Sequence, residues 1–481
     1  MKNSNRKIEV LSPAKNIQYG IEAIKCGADS VYIACEKLGL RKFFSNSIED
    51  IKQLCDFAHK YWAKVYVTIN SIIYTKEDLE YAQELIKKLY LNGVDAIIIT
   101  DMGILTLDLP PIPIYASVNT RCFTPEKINF MEKVGIQRII LPRELTFEQI
   151  KNIAKNTSIP LEVFIHGTFC VGISGNCFLK YAQVIKNSSN NKELNKCQLL
   201  SANNGACPAV CYDKYNLMDA NNNYIVKDEY LFRLRFLDLL NKIDKFISIG
   251  VHSFKIEGRQ RRLSYVKNIT TLCSEEVNKV LKKQETNLFR LSSGTSIVNF
   301  EPNLNKIYNR GYTDYFFNGR KKENLSAFDT YGNYIGKVKE QNNNSFKTDS
   351  NINLNIGDKI LYQSINKQTG IFDIIDIKND FYIFSNDNIN ILNCDLYRVI
   401  DAKIAEDIEN SKTYRYLSAK ITIKNKKDIY TITINDEDNI NTSIEYNIKT
   451  NKKISKNDFI NVFNNEIESE IKITEIDSEN D

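Results

Sequence analysis

The chain has 481 residues, too many for a single hydrophobic core, so two or three domains are expected. A net charge of +5 is small for that length and permits an RNA partner without demanding one. No uninterrupted apolar run is long enough to cross a bilayer, which argues against a membrane protein. The N-terminal MKNSNRKIEV lacks the apolar core of a secretory signal, which points to the reducing cytoplasm and away from disulfides.

From residue 7 short apolar runs alternate with amphipathic stretches. KIEVLSP, DSVYIAC, AKVYVTIN, VDAIIIT, PIYAS, QRIILPRE and LEVFI read as strands. Between most of them lie helix-like segments, and Gly27, Gly93 and Gly135 stand where helices should end. An eighth strand, HSFKIEG, follows only after a long excursion. Strands alternating with helices imply parallel pairing with right-handed crossovers. Eight such units predict an α/β fold, a TIM-type (β/α)8-like barrel, with chemistry beyond the carboxyl ends of the strands. The polar residues at those ends are Ser12, Asn70, Asp101, Ser117, Asn119, Arg143, Glu144, His166, Glu257 and Arg259. Any one of them can simply mark where a strand meets water; together they mark one face.

That face also carries four cysteines. Cys170 and Cys177 follow LEVFI, among Gly167, Gly172 and Gly175, which allow sharp turns. Cys207 and Cys211 follow an Asn/Ser/Lys-rich insertion; at i, i+4 they would face one way on a helical turn. Two thiol pairs on loops suit a soft metal centre. The spacing leaves an iron–sulfur cluster, zinc and no metal all open, although the first gap is wide for a zinc knuckle. Cys26, Cys35, Cys55, Cys122, Cys273 and Cys394 read as small buried hydrophobes, and Cys197 as a bystander in the insertion.

After Arg259 comes a long helix opened by a basic cluster that includes Arg261 and Arg262, a candidate phosphate grip or a solvated first turn. The expected layout is a barrel over 1–290 with the cysteine-bearing insertion at about 167–252, then a connector at 291–324. An all-β region follows: a small β-barrel-like domain over 325–401, and a second β module over 402–481 ending in a frayed acidic tail. Because the rim residues all precede it, this region is expected to be a docking module separable near residue 325.

The blocks VLSPAKN, GADSVYIA, KVYVTIN, LPREL, EVFIHGTFC–SGNC, CPAVC and SFKIEGR together resemble the collagenase-like peptidase family U32, over roughly residues 7–320. The resemblance implies a 4Fe-4S cluster on Cys170, Cys177, Cys207 and Cys211. It also implies oxygen-independent hydroxylation of an RNA pyrimidine, a tRNA wobble uridine or a 23S rRNA cytidine, with prephenate as a candidate hydroxyl donor. Glu162, His166, Glu257 and Arg259 match family positions and are the catalytic candidates. Arg143, Asn70, Asn119, Arg261 and Arg262 are the candidates for holding substrate. The chain departs from the family at Lys15, Asn119, Ile173, Tyr212 and Phe236. The competing functions are a peptidase, for which only a Cys170–His166 pair offers a nucleophile and base, and an RNA-binding scaffold with a structural cluster. Ubiquinone-type ring hydroxylation is a fourth, disfavoured by the β appendage.

Overall fold

The computed structural model describes residues 6–35, 46–174, 176–179, 207, 209–283, 288–321, 332–349, 351–366, 368–386, 389–426, 429–447 and 471–480. Cys197 and Gly175 lie outside the described residues.

Seven parallel strands succeed one another in space as in sequence: β1 (Arg6–Pro13), β2 (Ser30–Ala34), β3 (Lys64–Ile69), β4 (Ala96–Ile99), β5 (Ile114–Ala116), β6 (Arg138–Ile140) and β7 (Leu161–Thr168). After an excursion containing the hairpin β8 (Tyr215–Met218) and β9 (Tyr224–Glu229) and the short β10 (Phe236–Asp238), β11 (Ser253–Glu257) pairs in parallel with both β7 and β1. That double pairing closes an eight-stranded barrel, as the alternating pattern predicts. Helices α1 (Ile17–Lys25), α2 (Ile48–His59), α3 (Lys76–Leu91), α4 (Pro125–Lys133), α5 (Phe147–Asn156), α6 (Ile243–Ser248) and α7 (Leu263–Lys283) fill the crossovers; between β4 and β5 there is only a short 3-10 turn. Their starts are written locally. Ser47 with Asp50, and Thr146 with Gln149, form reciprocal capping boxes, and Thr124 precedes Pro125 at the first helical position of α4.

An ionic network lies inside the barrel. Glu9 on β1 and Glu162 on β7 are both buried, 2% and 0% exposed. Arg138 on β6 pairs with both; Lys255 on β11 approaches Glu162 at 2.8 Å, and Tyr66 donates to Glu9 at 2.6 Å. Two acids and two bases neutralise one another, which makes their burial tolerable.

After α7, β12 (Leu288–Arg290) adds to β1 and β13 (Thr295–Val298) leaves the barrel, while β14 (Tyr312–Thr313) extends β10. Strands β15 (Asn333–Asn342), β16 (Ser345–Thr348), β17 (Lys359–Gln363), β18 (Thr369–Lys378), β19 (Phe381–Phe384) and β20 (Asp395–Ile400) close a second, smaller barrel around Phe346, Phe372 and Phe384. A helix that the all-β reading missed, α8 (Ala402–Asn410), packs on α7. The final sheet holds β21 (Thr413–Lys426), β22 (Ile429–Asp436), β23 (Asn441–Asn447) and β24 (Ile471–Asn480). The residues read as a frayed acidic tail are therefore paired: β24 runs parallel to β21, with Ile473 and Ile476 buried.

This last module is joined to the barrel floor. β21 pairs with β13, and Arg415 on β21 donates to the carbonyls of Ile24, Ala28 and Ser293 and to Ser292 Oγ. Lys267 of α7, 1% exposed, donates to the carbonyls of Glu409 and Ser411. A cut near residue 325 therefore removes contacts that the barrel itself uses. Arg415→Ala in the full chain should lower the unfolding free energy by about 2–4 kcal/mol, the range for losing a buried, multiply bonded group. Urea titration checks this, and an unchanged midpoint would detach the module from barrel stability.

Candidate functional site

A cavity of about 130 Å³ opens at the C-terminal mouth of the barrel. Tyr32 of β2, Thr68 of β3, Phe164 and Thr168 of β7, and Lys255 and Glu257 of β11 reach it from strands; Asn70, Ser117, Asn119, Arg143, Arg259, Cys170 and Cys207 reach it from the following loops. The structure thus gathers Asn70, Ser117, Asn119, Arg143, Glu257 and Arg259 from the rim set. Alternation along β11 places Lys255, Glu257 and Arg259 on the cavity side, with the Ile256 side chain fully buried.

Within the cavity each charge is positioned. Arg143 Nη2 lies 2.7 Å from Glu257 Oε2, and its guanidinium sits 4.1 Å from the centroid of Phe164. Arg259 donates to Thr68 Oγ1 at 3.0 Å and stacks 5.4 Å from Tyr32. Lys255 lies 4.2 Å from the Tyr32 centroid while holding Glu162. Burial keeps the Lys255 ammonium below the ordinary lysine range, opposed by Glu162. Arg143, Lys255 and Arg259 stand against Glu257 in the lining and Glu162 beneath it, which leaves a bias of one positive charge suited to an anionic guest.

Other candidates stand elsewhere. Glu162 is inside the barrel beneath the cavity, with Ser253, Lys255 and Arg138 as partners, and does not line it. His166 also misses the cavity: its Nδ1 is 2.9 Å from the Tyr265 hydroxyl of α7, and Tyr312 of β14 stacks on it. Tyr265 donates its own proton to the Glu257 carbonyl, so Nδ1 is the protonated nitrogen and Nε2 has no partner among the described residues. No hydrogen bond joins His166 to Cys170 among the described residues, so the thiol–imidazole dyad of a peptidase does not form. Arg261 donates twice to Thr168 Oγ1 and is bracketed by aromatic rings, while Arg262 is exposed at the start of α7. Ser12 bonds Thr270, and Asp101 caps the turn after β4; both are structural. Sequence reasoning missed Tyr32, Thr68 and Phe164. Their signal was inward register near strand ends, which an aromatic or threonine does not advertise.

The cysteine loop is held by Glu144, which accepts from the backbone N–H and the hydroxyl of Ser174 at 2.7 and 2.6 Å. Gly167, at φ +126°, lets β7 pass β11: a Cβ there would stand 2.2 Å from the Glu257 carbonyl oxygen. Cys207 and Cys211 do not share a regular helical turn, because Ala209 is left-handed (φ 56°) and only Val210–Tyr212 form a 3-10 turn. None of the ten described cysteines forms a disulfide with another described residue, and the six read as core are buried. The four loop thiols share one electrostatic neighbourhood. Burial pushes up Cys170, opposed by Arg143 and with the neighbouring thiols adding; burial, then the neighbouring thiols, raise Cys211 to about 11. Among the described residues no three ligand groups stand at metal-binding distances. A gathered set of thiols that oppose one another's ionisation nonetheless fits a cationic thiophilic centre, which would relieve that repulsion.

Comparison with known proteins agrees with this geometry. The family described as peptidase family U32 matches residues 15–327. The chain is 41% identical over 327 residues to the 23S rRNA 5-hydroxycytidine C2501 synthase of Escherichia coli K12, covering 68% of this chain and 48% of that protein. The chain thus spans about half the length of that relative. It is 30% identical to the uncharacterized protease MJ0090 of Methanocaldococcus jannaschii, covering 68% of this chain and 77% of that one. It is 29% identical to tRNA hydroxylation protein P1 of Bacillus subtilis, covering 58% and 67%. No helix among the described residues is long and apolar enough to cross a membrane.

His166 makes a prediction independent of activity. Burial, with Arg261 adding, depresses its pKa from 6.5 to about 3. The unfolded chain therefore takes up a proton that the folded chain refuses, and stability falls as pH drops through that window by about 1.4 kcal/mol per unit. His166→Asn keeps a donor for Tyr265 and should flatten this slope. Urea unfolding at pH 6.5 and 4.5 measures it; equal slopes in both proteins would refute the buried neutral imidazole. The sequence match and the residues that the barrel brings together have one explanation: the chain belongs to peptidase family U32.

Proposed function

We propose that this chain hydroxylates a pyrimidine base in RNA, most directly a cytidine of ribosomal RNA, with a tRNA uridine as the other substrate of the same class. The observation that carries the reading is that Cys170 and Cys207 line the same cavity as Arg143, Lys255, Glu257 and Arg259. The similarity to an rRNA 5-hydroxycytidine synthase, 41% identity over 327 residues, supports the same reading. A base reaches such a pocket only by leaving its stack, and the cavity of about 130 Å³ suits a single flipped base.

Cys170, Cys177, Cys207 and Cys211 would hold a 4Fe-4S cluster, which supplies an electron-accepting iron able to polarise a small oxygen donor. The remaining work belongs to the chain. Arg259, 5.4 Å from the Tyr32 ring centroid and bonded to Thr68, presents its fork to a carboxylate of the donor, for which the dicarboxylate prephenate is the candidate. Glu257, held by Arg143, takes the proton from the ring carbon and returns it to the donor, whose C–O bond breaks with the electron pair staying on the donor carbon, so that ring C–H and donor C–OH become ring C–OH and donor C–H. Asn70 and Asn119 offer amide groups to the edge of the base. Cytoplasmic residence follows from an RNA substrate.

Two measurements test this. Nucleoside mass spectrometry of RNA from a deletion strain should show one hydroxylated pyrimidine lost, restored by the wild-type gene. Arg259→Lys, which keeps the charge but loses the fork, should restore little of it; an unchanged RNA profile on deletion would overturn the reading. Separately, protein purified without oxygen should be brown, with about four irons per chain. Cys170→Ser, Cys177→Ser, Cys207→Ser and Cys211→Ser should each lose iron, whereas Cys197→Ser should keep it. Stoichiometric zinc in a colourless protein would replace the cluster with a structural metal.

A further inference from the structure

Beside the cavity stands a group of three arginines from three separate segments: Arg233 before β10, Arg261 after β11 and Arg310 before β14. One aromatic pair, Phe236 and Tyr308 with ring centroids 6.1 Å apart, organises all three. Arg261 lies 4.5 Å from the Phe236 centroid and 5.5 Å from that of Tyr308. Arg310 lies 5.2 Å from Phe236 and 5.2 Å from Tyr212, the residue after Cys211. Arg233 donates to the Tyr308 hydroxyl at 2.7 Å. A guanidinium held by a ring face keeps its N–H edge for a planar, two-oxygen acceptor.

The charge is unbalanced. Neither Arg233 nor Arg261 forms an ion pair with a described residue, and the buried Nε of Arg233 has no hydrogen-bond partner among them. Burial, with Arg233 and Arg261 nearby, depresses Arg310 below the ordinary guanidinium range, although Tyr212 and Tyr308 oppose this. Arg233 and Arg261, gathered beside one aromatic pair, repel each other until an anion joins them. The group also adjoins the reaction site, since Arg261 holds Thr168, which lines the cavity.

We propose that Arg233, Arg261 and Arg310 form a seat for an RNA phosphate, holding the backbone next to the nucleotide whose base enters the cavity. The assignment rests on the RNA reading above and adds to it the residues that fix the strand.

The test uses the full-length protein, purified without oxygen, and a short fluorescein-labelled RNA of mixed sequence, titrated by anisotropy across a salt series. Arg233→Gln should weaken binding about tenfold and reduce the log–log salt slope by about 0.7, the share of one phosphate on a single strand. Arg233→Lys, retaining charge without the fork, should restore the slope but only part of the affinity. Lys279→Gln, on the exposed side of α7, should leave both unchanged. Iron content and melting temperature, matched to wild type, show that each variant is folded. An Arg233→Gln protein with wild-type affinity and slope overturns the seat. Wild-type protein that fails to bind the RNA but is stabilised against heat by sulfate, with Arg233→Gln abolishing that effect, overturns the RNA assignment and makes the seat one for a free dianion. RNA hydroxylation lost on gene deletion together with an unchanged Arg233→Gln slope refutes the seat alone and leaves the function standing.

Discussion

The Lys255–Glu162 ion pair is the contact on which the rest of this molecule depends. It joins β11 to β7, the two strands whose pairing closes the barrel, and both partners are almost fully buried. A buried carboxylate without a cation would be strongly destabilising, so Lys255, together with Arg138, makes Glu162 possible at all. The same ammonium reaches up to Tyr32 and lines the cavity. One side chain therefore closes the barrel and charges the site.

Everything above that pair follows the β7–β11 seam. Its strands approach so closely that only glycine fits at 167, and the register shifts between Lys255 and Ile256. Glu257 and Arg259 leave the seam on one side, and the Cys170–Cys177 loop on the other. Arg143 connects them, bonding Glu257 while its charge favours the Cys170 thiolate. A cationic group shared by a carboxylate and a thiol suits a site in which a metal centre and a proton acceptor work on one small guest.

Around this core the chain adds layers with different purposes. The barrel floor is occupied by Arg415, which fastens the final β module to helix α1 and the loop before β2. The barrel rim is extended by β10 and β14, beside which the arginine group stands. The Arg415 fastening lies at the end of the barrel opposite the cavity.

The sequence by itself determined the strands and their order. Alternating apolar runs and capped helices are local signals, set by backbone geometry and side-chain pattern, so all eight barrel strands were legible. The cysteine pairs and KIEGR were legible as chemistry because their residue types are unusual at strand ends. Only the tertiary structure decided which polar residues meet. Glu162 and His166 read as equals of Glu257, yet closure buries Glu162 under Lys255, and β10 and α7 cover His166. Arg233 and Arg310 carried no local signal, since a lone arginine in a loop reads as solvated surface. Their meeting with Arg261 on Phe236 depends on pairings spanning more than seventy residues, and no short stretch of sequence encodes such a distance.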